Sequence, residues 1–361
     1  CFYLYSCFMC VVFVVVLCLV CFFFLMIRRP PRSTLDRSSA ASDVYKRQGL
    51  SITEWDVVMG SMPPGNDAEW EKEFQLYQSS AQYAKINSDF SVEQFKKIYW
   101  WEFIHRNWAR LISIVFLFPF IYFLLKKKFN TAWIKKLAVV FLLGGLQGFV
   151  GWIMVASGLE GDPWVDPSKL TIHLLLALIV FMYLIWLALS YRETPVISDH
   201  PSANRSIKWI IILILIQISL GGLMAGTDAG RLYNTYPLMN GRVIPEGAFH
   251  GIFSADKLVA LSTEINFLHR SFAIIVALAI IGFWFQNRKY TSKRMHKLNS
   301  AFVLVLCLQF LLGVFTLLGS TENIPVFLGV SHQVVACLLL GLSVTILFYS
   351  KHRDGVVIVK K

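Results

Sequence analysis

Charge is the scarcest property of this chain. Asp, Glu, Lys and Arg make up 16% of its 361 residues, whereas soluble domains carry about 25%, and this excludes an ordinary water-soluble domain. Cysteine pairs are missing as well. Of seven cysteines, five (Cys1, Cys7, Cys10, Cys18 and Cys21) fall in the first 21 residues, and Cys307 and Cys337 sit in apolar segments. No outward loop holds a pair, which excludes a disulfide framework there. The net charge of +12 does not signal nucleic acid, because the basic residues are confined to short loops rather than gathered on a binding face.

What is present is apolar: 56% hydrophobic and 15% aromatic residues, in blocks of about twenty, each long enough to cross a hydrocarbon core of ~30 Å as a helix. We expect an all-α polytopic membrane protein with spans at 102–125, 134–155, 170–191, 207–226, 265–286, 298–319 and 326–350. Lys126, Lys127, Lys128, Lys135 and Lys136 mark one loop, and Arg288, Lys289, Lys293, Arg294 and Lys297 another. The alternate loops are acidic. Residues 49–98 carry eight acidic and four basic side chains, and 156–169 carries Glu160, Asp162 and Asp166 against Lys169. This alternation places the basic loops and the tail 351–361 inside and the acidic loops outside.

Residues 1–48 read differently. An apolar Cys/Phe/Val run leads into a basic, turn-rich stretch whose Arg28, Arg29, Arg32, Arg37, Lys46 and Arg47 would face outward, against the charge pattern of every later loop. The ordinary reading is a first spanning helix or a signal sequence. The expectation adopted here is a segment foreign to the rest, resembling translated adapter sequence. From Gly49 to about residue 98 we expect an outward loop with short amphipathic helices at EWEKEF and SVEQFKKIYWWEF.

Two stretches repeat. Residues 101–110 read WEFIHRNWAR and residues 264–273 read EINFLHRSFA. Each half then supplies a Leu-Gln pair (Leu146-Gln147, Leu308-Gln309) and a further histidine, His173 or His332. The spacing between copies is about 160 residues throughout. Four spans per repeat preserve orientation, with helix 207–226 answering to a first helix that is missing or replaced in the first half, so we expect halves at 49–206 and 207–350, two four-helix bundles related by a pseudo-two-fold axis along the membrane normal. His105, His173, His269 and His332 are all expected within the first turns of their helices, on the outward side. Ionisable groups at membrane depth mark function, and facing histidines in a bundle are a means of holding heme iron. Zinc is disfavoured, since no carboxylate or cysteine cluster at that depth completes a tetrahedral site. We therefore expect two bis-histidine heme sites, His105/His173 and His269/His332.

Arg106, Arg110 and Arg270 stand beside these ligands, and a guanidinium fork suits a heme propionate. Glu102 shares a helix face with His105, while the second copy has Asn266 there, an asymmetry that assigns chemistry to the first half. Gln147 and Gln309 are expected to make interhelical hydrogen bonds, and Gly144, Gly145, Gly148, Gly151, Gly221 and Gly222 to allow close approach.

WEFIHRNWAR, LGGLQGFVGWIMVASGL, HLLLAL, GGLMAGTDAGRLYNTYPLMNG, FLHRSFA and LGVSHQVVA together resemble the heme A synthase family, in its mitochondrial and proteobacterial-type branch, over residues 49–349. The resemblance implies an enzyme of cytochrome c oxidase biogenesis that oxidises the C8 methyl of heme O to the formyl of heme A by successive hydroxylations. It implies a cofactor heme b at His269 and His332, substrate heme at His105 and His173, and a catalytic part for Glu102. The implied partners are a heme O synthase, a ferredoxin-like or quinol electron donor, oxidase assembly factors and membrane lipid, with no nucleic acid. A homo-oligomer is left open. The cysteine pair that one bacterial branch carries in its first outward loop is absent, so no thiol step is invoked. The Lys-rich loops and the lack of a recognisable transit peptide point to the bacterial inner membrane, with the mitochondrial inner membrane as the alternative. Two other readings are a bis-heme b-type electron carrier, whose hemes should lie near opposite faces, and a heme-binding assembly factor without turnover.

Overall fold

A computed structural model describes residues 50–53, 59–159, 163–192, 196–197, 201–246, 248–249, 258–288, 292–321 and 324–353. The expectations for residues 1–49, Glu160, Asp162, Lys289 and the tail beyond residue 353 lie outside these. The described chain is almost entirely helical: α1 (Asp67–Gln78), α2 (Ala81–Ile86), α3 (Val92–Leu125), α4 (Thr131–Leu159), α5 (Pro167–Arg192), α6 (Pro201–Gly226), α7 (Leu258–Asn287), α8 (Lys293–Leu318) and α9 (Val326–Lys351). The one ladder is two residues long and antiparallel, Val196–Ile197 against His352–Arg353.

Among the described residues seven helices, α3 to α9, are long and apolar enough to cross a membrane. Their outer surfaces carry Phe118, Leu142, Leu278 and Leu304, each at least 65% exposed. That is the exposure expected of side chains whose solvent is lipid, since helices satisfy their backbone internally and present apolar groups outward. Pro119 is accommodated inside α3.

The helix starts follow capping chemistry. The Asn66 side chain accepts the Glu69 N–H at the head of α1, where Asp67 and Glu69 also complement the helix dipole. Ser91 and Gln94 form a reciprocal capping box at the start of α3, and Ser292 caps α8. The Ser91 box also corrects one expectation. SVEQFKKIYWWEF is not a separate interfacial helix but the first turns of α3. His105 therefore lies 13 residues after Val92 and His269 11 after Leu258, rather than in a first turn.

The extension is held outside the membrane by aromatic packing. Trp70, Phe74, Tyr77, Phe90, Phe95, Tyr99 and Phe103 form one buried cluster joining α1, the loop after α2, and α3. Tyr77 and Phe95 stack at 5.1 Å. Each such ring buries roughly 150–250 Å², and fully burying a Phe-sized side chain contributes about 1.5–3 kcal/mol. Tyr77 is fully buried with its hydroxyl satisfied, donating to Gln82 Oε1 at 3.2 Å and accepting from Asn87 Nδ2 at 2.5 Å.

The described residues separate into two compact units, one ending at Leu176 and one running from Ala177. In the second, α6, α7, α8 and α9 form a closed four-helix arrangement in which each packs on two neighbours. The inner half of α5 joins this unit through Trp186, which meets Phe348 edge-on at 5.2 Å. In the first unit α3 packs on α4 beneath the α1–α2 cap.

The charge pattern predicts the orientation. In spheroplasts, Glu71→Cys on exposed α1 should react with an impermeant thiol reagent, and Lys128→Cys only after the membrane is opened. The reverse pattern would invert the topology.

Candidate functional site

Glu102 is the most heavily bonded side chain at the outer end of α3. Its Oε2 accepts the Ser51 N–H at 2.9 Å, the Ser51 hydroxyl at 2.7 Å and the Ile52 N–H at 3.2 Å. Its Oε1 pairs with Arg106 Nη2 at 2.5 Å, and that guanidinium donates on to the Ile52 carbonyl at 2.9 Å. The helical i, i+4 spacing puts carboxylate and guanidinium on one face; the carboxylate is buried and the guanidinium largely so. Leu50 locks the same strap, packing where Gly158 leaves no Cβ; a methyl there would lie 2.7 Å from the leucine. Arg110 repeats the motif one turn along, donating to the Gly60 carbonyl at 3.0 Å.

The second copy does the same with opposite polarity. Asn266, fully buried, donates to the Ala229 carbonyl at 2.6 Å. Arg270 Nη2 donates to the carbonyls of Thr235 at 2.9 Å and Pro237 at 3.1 Å, and stacks over Tyr236. Asn240-Gly241, with φ values of 52° and 84°, makes the two-residue hairpin turn that such a pair favours. The turn closes the Met239–Arg242 bridge and folds the loop over Arg270. Arg270 Nη1 is buried without a hydrogen-bond partner.

Each ring placed in detail rests on a glutamine and a glycine of a neighbouring helix. Gln147 Nε2 of α4 lies 3.2 Å from both ring nitrogens of His173 and donates to the His173 carbonyl at 3.1 Å. Gln217 of α6 does the same to His269, at 3.2 and 3.4 Å from the ring nitrogens and 3.0 Å from its carbonyl. His332 differs. Its Nδ1 lies 3.0 Å from the Gln309 carbonyl, an acceptor only, so Nδ1 carries the proton and Nε2 keeps its lone pair. The Gln309 amide donates to that Nε2 at 3.2 Å.

The sequence reading did not single out Ser51, Gln217 or Gly313. The signal was present in the last two: Gln147/Gly151, Gln217/Gly221 and Gln309/Gly313 share one spacing. Ser51 carried no local signal, since its partner lies 51 residues away. The expected close-approach role holds for Gly151 and Gly221, which face His173 and His269; a Cβ at Gly144, Gly145 or Gly148 would meet nothing within 4 Å.

A cavity of about 30 Å³ lies between Ile52, Thr53 and Arg106 and the α4 residues Trp152, Val155, Ala156 and Leu159. It has the volume for a water beside the guanidinium. The helix that carries His173 starts at a built cap. Asp166 accepts from the Ser168 hydroxyl and from the N–H groups of Ser168 at 2.8 Å and Lys169 at 3.1 Å.

Two outcomes follow. Glu102→Ala removes the carboxylate partner of Arg106 and the acceptor of two backbone donors, so it should cost about 3–5 kcal/mol in denaturant stability of the first unit. Glu102→Gln, which keeps an acceptor, should lose less, and a cycle with Arg106→Ala should show coupling. At Asp166, the Ser168 hydroxyl first, then the Lys169 and Ser168 N–H groups, hold the carboxyl below its usual 3.8. A depressed carboxyl contributes its stability above the unfolded value and loses it as pH falls through the folded one. Exchange protection at the start of α5 should therefore stay level from about pH 7 to about pH 5 and fall only below 3.8, with Asp166→Ala low throughout.

Comparison with known proteins gives this geometry a context. Residues 46–344 match the family model described as cytochrome oxidase assembly protein. A protein named heme A synthase from Flavobacterium johnsoniae is 41% identical over 313 residues, covering 84% of this chain and 89% of the relative. One of the same name from Flavobacterium psychrophilum is 39% identical, with 84% and 89% covered. Another from Paramagnetospirillum magneticum is 37% identical, with 81% and 83% covered. With both repeats inside the matched range, and with relatives this similar along most of their length, the chain belongs to the COX15-CtaA family of cytochrome oxidase assembly proteins.

Proposed function

We propose that this protein is a heme A synthase, oxidising the C8 methyl of heme O to the formyl group of heme A by successive hydroxylations. The observation that carries the reading is similarity over more than 80% of both chains to bacterial proteins of that name. The protein is a multi-pass protein of the bacterial inner membrane and serves cytochrome oxidase assembly.

Within that activity we assign the substrate heme to His105 and His173 and a resident heme b to His269 and His332. The residues present suit such a group. His332 keeps its Nε2 lone pair because the Gln309 carbonyl holds the Nδ1 proton, the second-shell arrangement that metal-bound histidines use. Arg270 keeps a buried Nη1 without a hydrogen-bond partner, a donor that a propionate carboxylate would satisfy. Arg106, at the matching position in the first half, and Arg110, one turn further along α3, are assigned the same contact in addition to their loop bonds. Heme b, when bound, supplies one-electron redox capacity to the site.

The catalytic part of Glu102 is read as running through position. The carboxylate accepts from Ser51, Ile52 and Arg106, so it holds the outward strap and the guanidinium next to His105. Heme O arrives from a heme O synthase, and electrons from a ferredoxin-like protein or a quinol. Oxidase assembly factors and lipid complete the proposed surroundings, and assembly with further copies of the chain is compatible with the fold.

The test is co-expression with a heme O synthase, followed by extraction and mass analysis of the pigments. The wild-type chain should yield a formyl-bearing heme that is lost in His105→Ala and His173→Ala, with heme b still bound. Unconverted heme O beside bound heme b would favour an electron carrier or an assembly factor without turnover.

A further inference from the structure

The spacing Gln-x3-Gly occurs on α4, α6 and α8, and each time the pair faces a histidine of another helix. Residues four apart share a helix face, so glutamine and glycine together form a seat one turn long. The glycine is the floor. A Cβ at Gly151, Gly221 or Gly313 would lie 2.9, 3.1 and 2.9 Å from the ring Cε1 of His173, His269 and His332 respectively. Contacts that short force a ring to move, so these imidazoles lie against bare Cα atoms. Gly144, Gly145 and Gly148, on the same helix as Gly151, have no such neighbour, which separates the seat from general small-residue packing.

The glutamine is the wall. In all three copies its amide nitrogen reaches a ring nitrogen, and its Oε1 is buried without a hydrogen-bond partner. A buried acceptor left without a donor is costly. Repeated three times, it shows that the amide is oriented by its histidine and not by its own best bonding.

We propose that these three pairs are histidine cradles: Gly151, Gly221 and Gly313 set the ring plane, and Gln147, Gln217 and Gln309 hold the ring in register when no heme is bound. They are positioning residues, acting through His173, His269 and His332, and the proposal rests on the bis-histidine heme reading above. At His332 the amide donates to Nε2, the lone pair that a heme iron needs, so the glutamine holds the ligand until heme takes its place. In the first half, where heme is substrate and must leave after turnover, Gln147 does this in every cycle.

The experiment uses the purified full chain and measures heme b per chain, the low-spin bis-histidine signal and the heme midpoint potential. Gly221→Ala and Gly313→Ala should bind heme b about 10–100-fold more weakly, the range for lost outer-shell support of a metal ligand. Gln217→Leu should bind heme with a shifted low-spin signal and potential. Gly145→Ala should match wild type. Wild-type affinity, signal and potential in the glycine variants would overturn the proposal. If those chains do not accumulate, Gln217→Leu decides: a shift supports the cradle, and an unchanged signal and potential overturn it. A wild-type protein without a bis-histidine signal would instead overturn the heme reading beneath it.

Discussion

A polar group in hydrocarbon needs a partner, and here the groups in question are imidazoles. Water is absent at that depth, so each ring must be satisfied by protein. The bundle meets the demand with helices that face one another closely enough for a glutamine amide to reach across. Glycine makes that approach possible at Gly151, Gly221 and Gly313. The interior of each unit is thus organised by a few polar contacts among surfaces otherwise fitted only for lipid.

The outer ends solve a related problem. Loops that cross the helix ends must be fastened, yet the loop backbone brings its own unpaired carbonyls and N–H groups. Glu102 accepts from the strap at Ser51 and Ile52, Asn266 donates to Ala229, and arginines one turn on collect the remaining carbonyls. The two halves share one mechanical plan and differ in one charge. The carboxylate in the first half pairs with Arg106, which lines a water-sized cavity; the second half has a neutral amide. Under the proposed function, this difference in charge lets one half keep its heme as cofactor and the other convert its heme.

The seven spans, the repeat and the four histidines were legible because each is a local or periodic signal: apolar blocks, a fixed offset, a rare residue type at membrane depth. The boundary of α3 was not, since the aromatic run IYWWEF reads equally as an interfacial helix and as the extramembrane end of a long one, and the packing of Trp70, Phe74 and Tyr77 on it decides. Glu102 was legible as exceptional but not in its contacts, because Ser51 is far along the chain. Gln217 escaped notice because the repeat was anchored on Leu-Gln pairs, while this glutamine follows Ile216.

The central claim is that one heme stays and the other passes through. The most direct measurement is the identity and amount of heme bound to the purified full chain, made with and without a heme O synthase. The account predicts heme b in both preparations, joined by heme O or its oxidised products only when the synthase is present. The same heme content in both, or no heme in either, would contradict it.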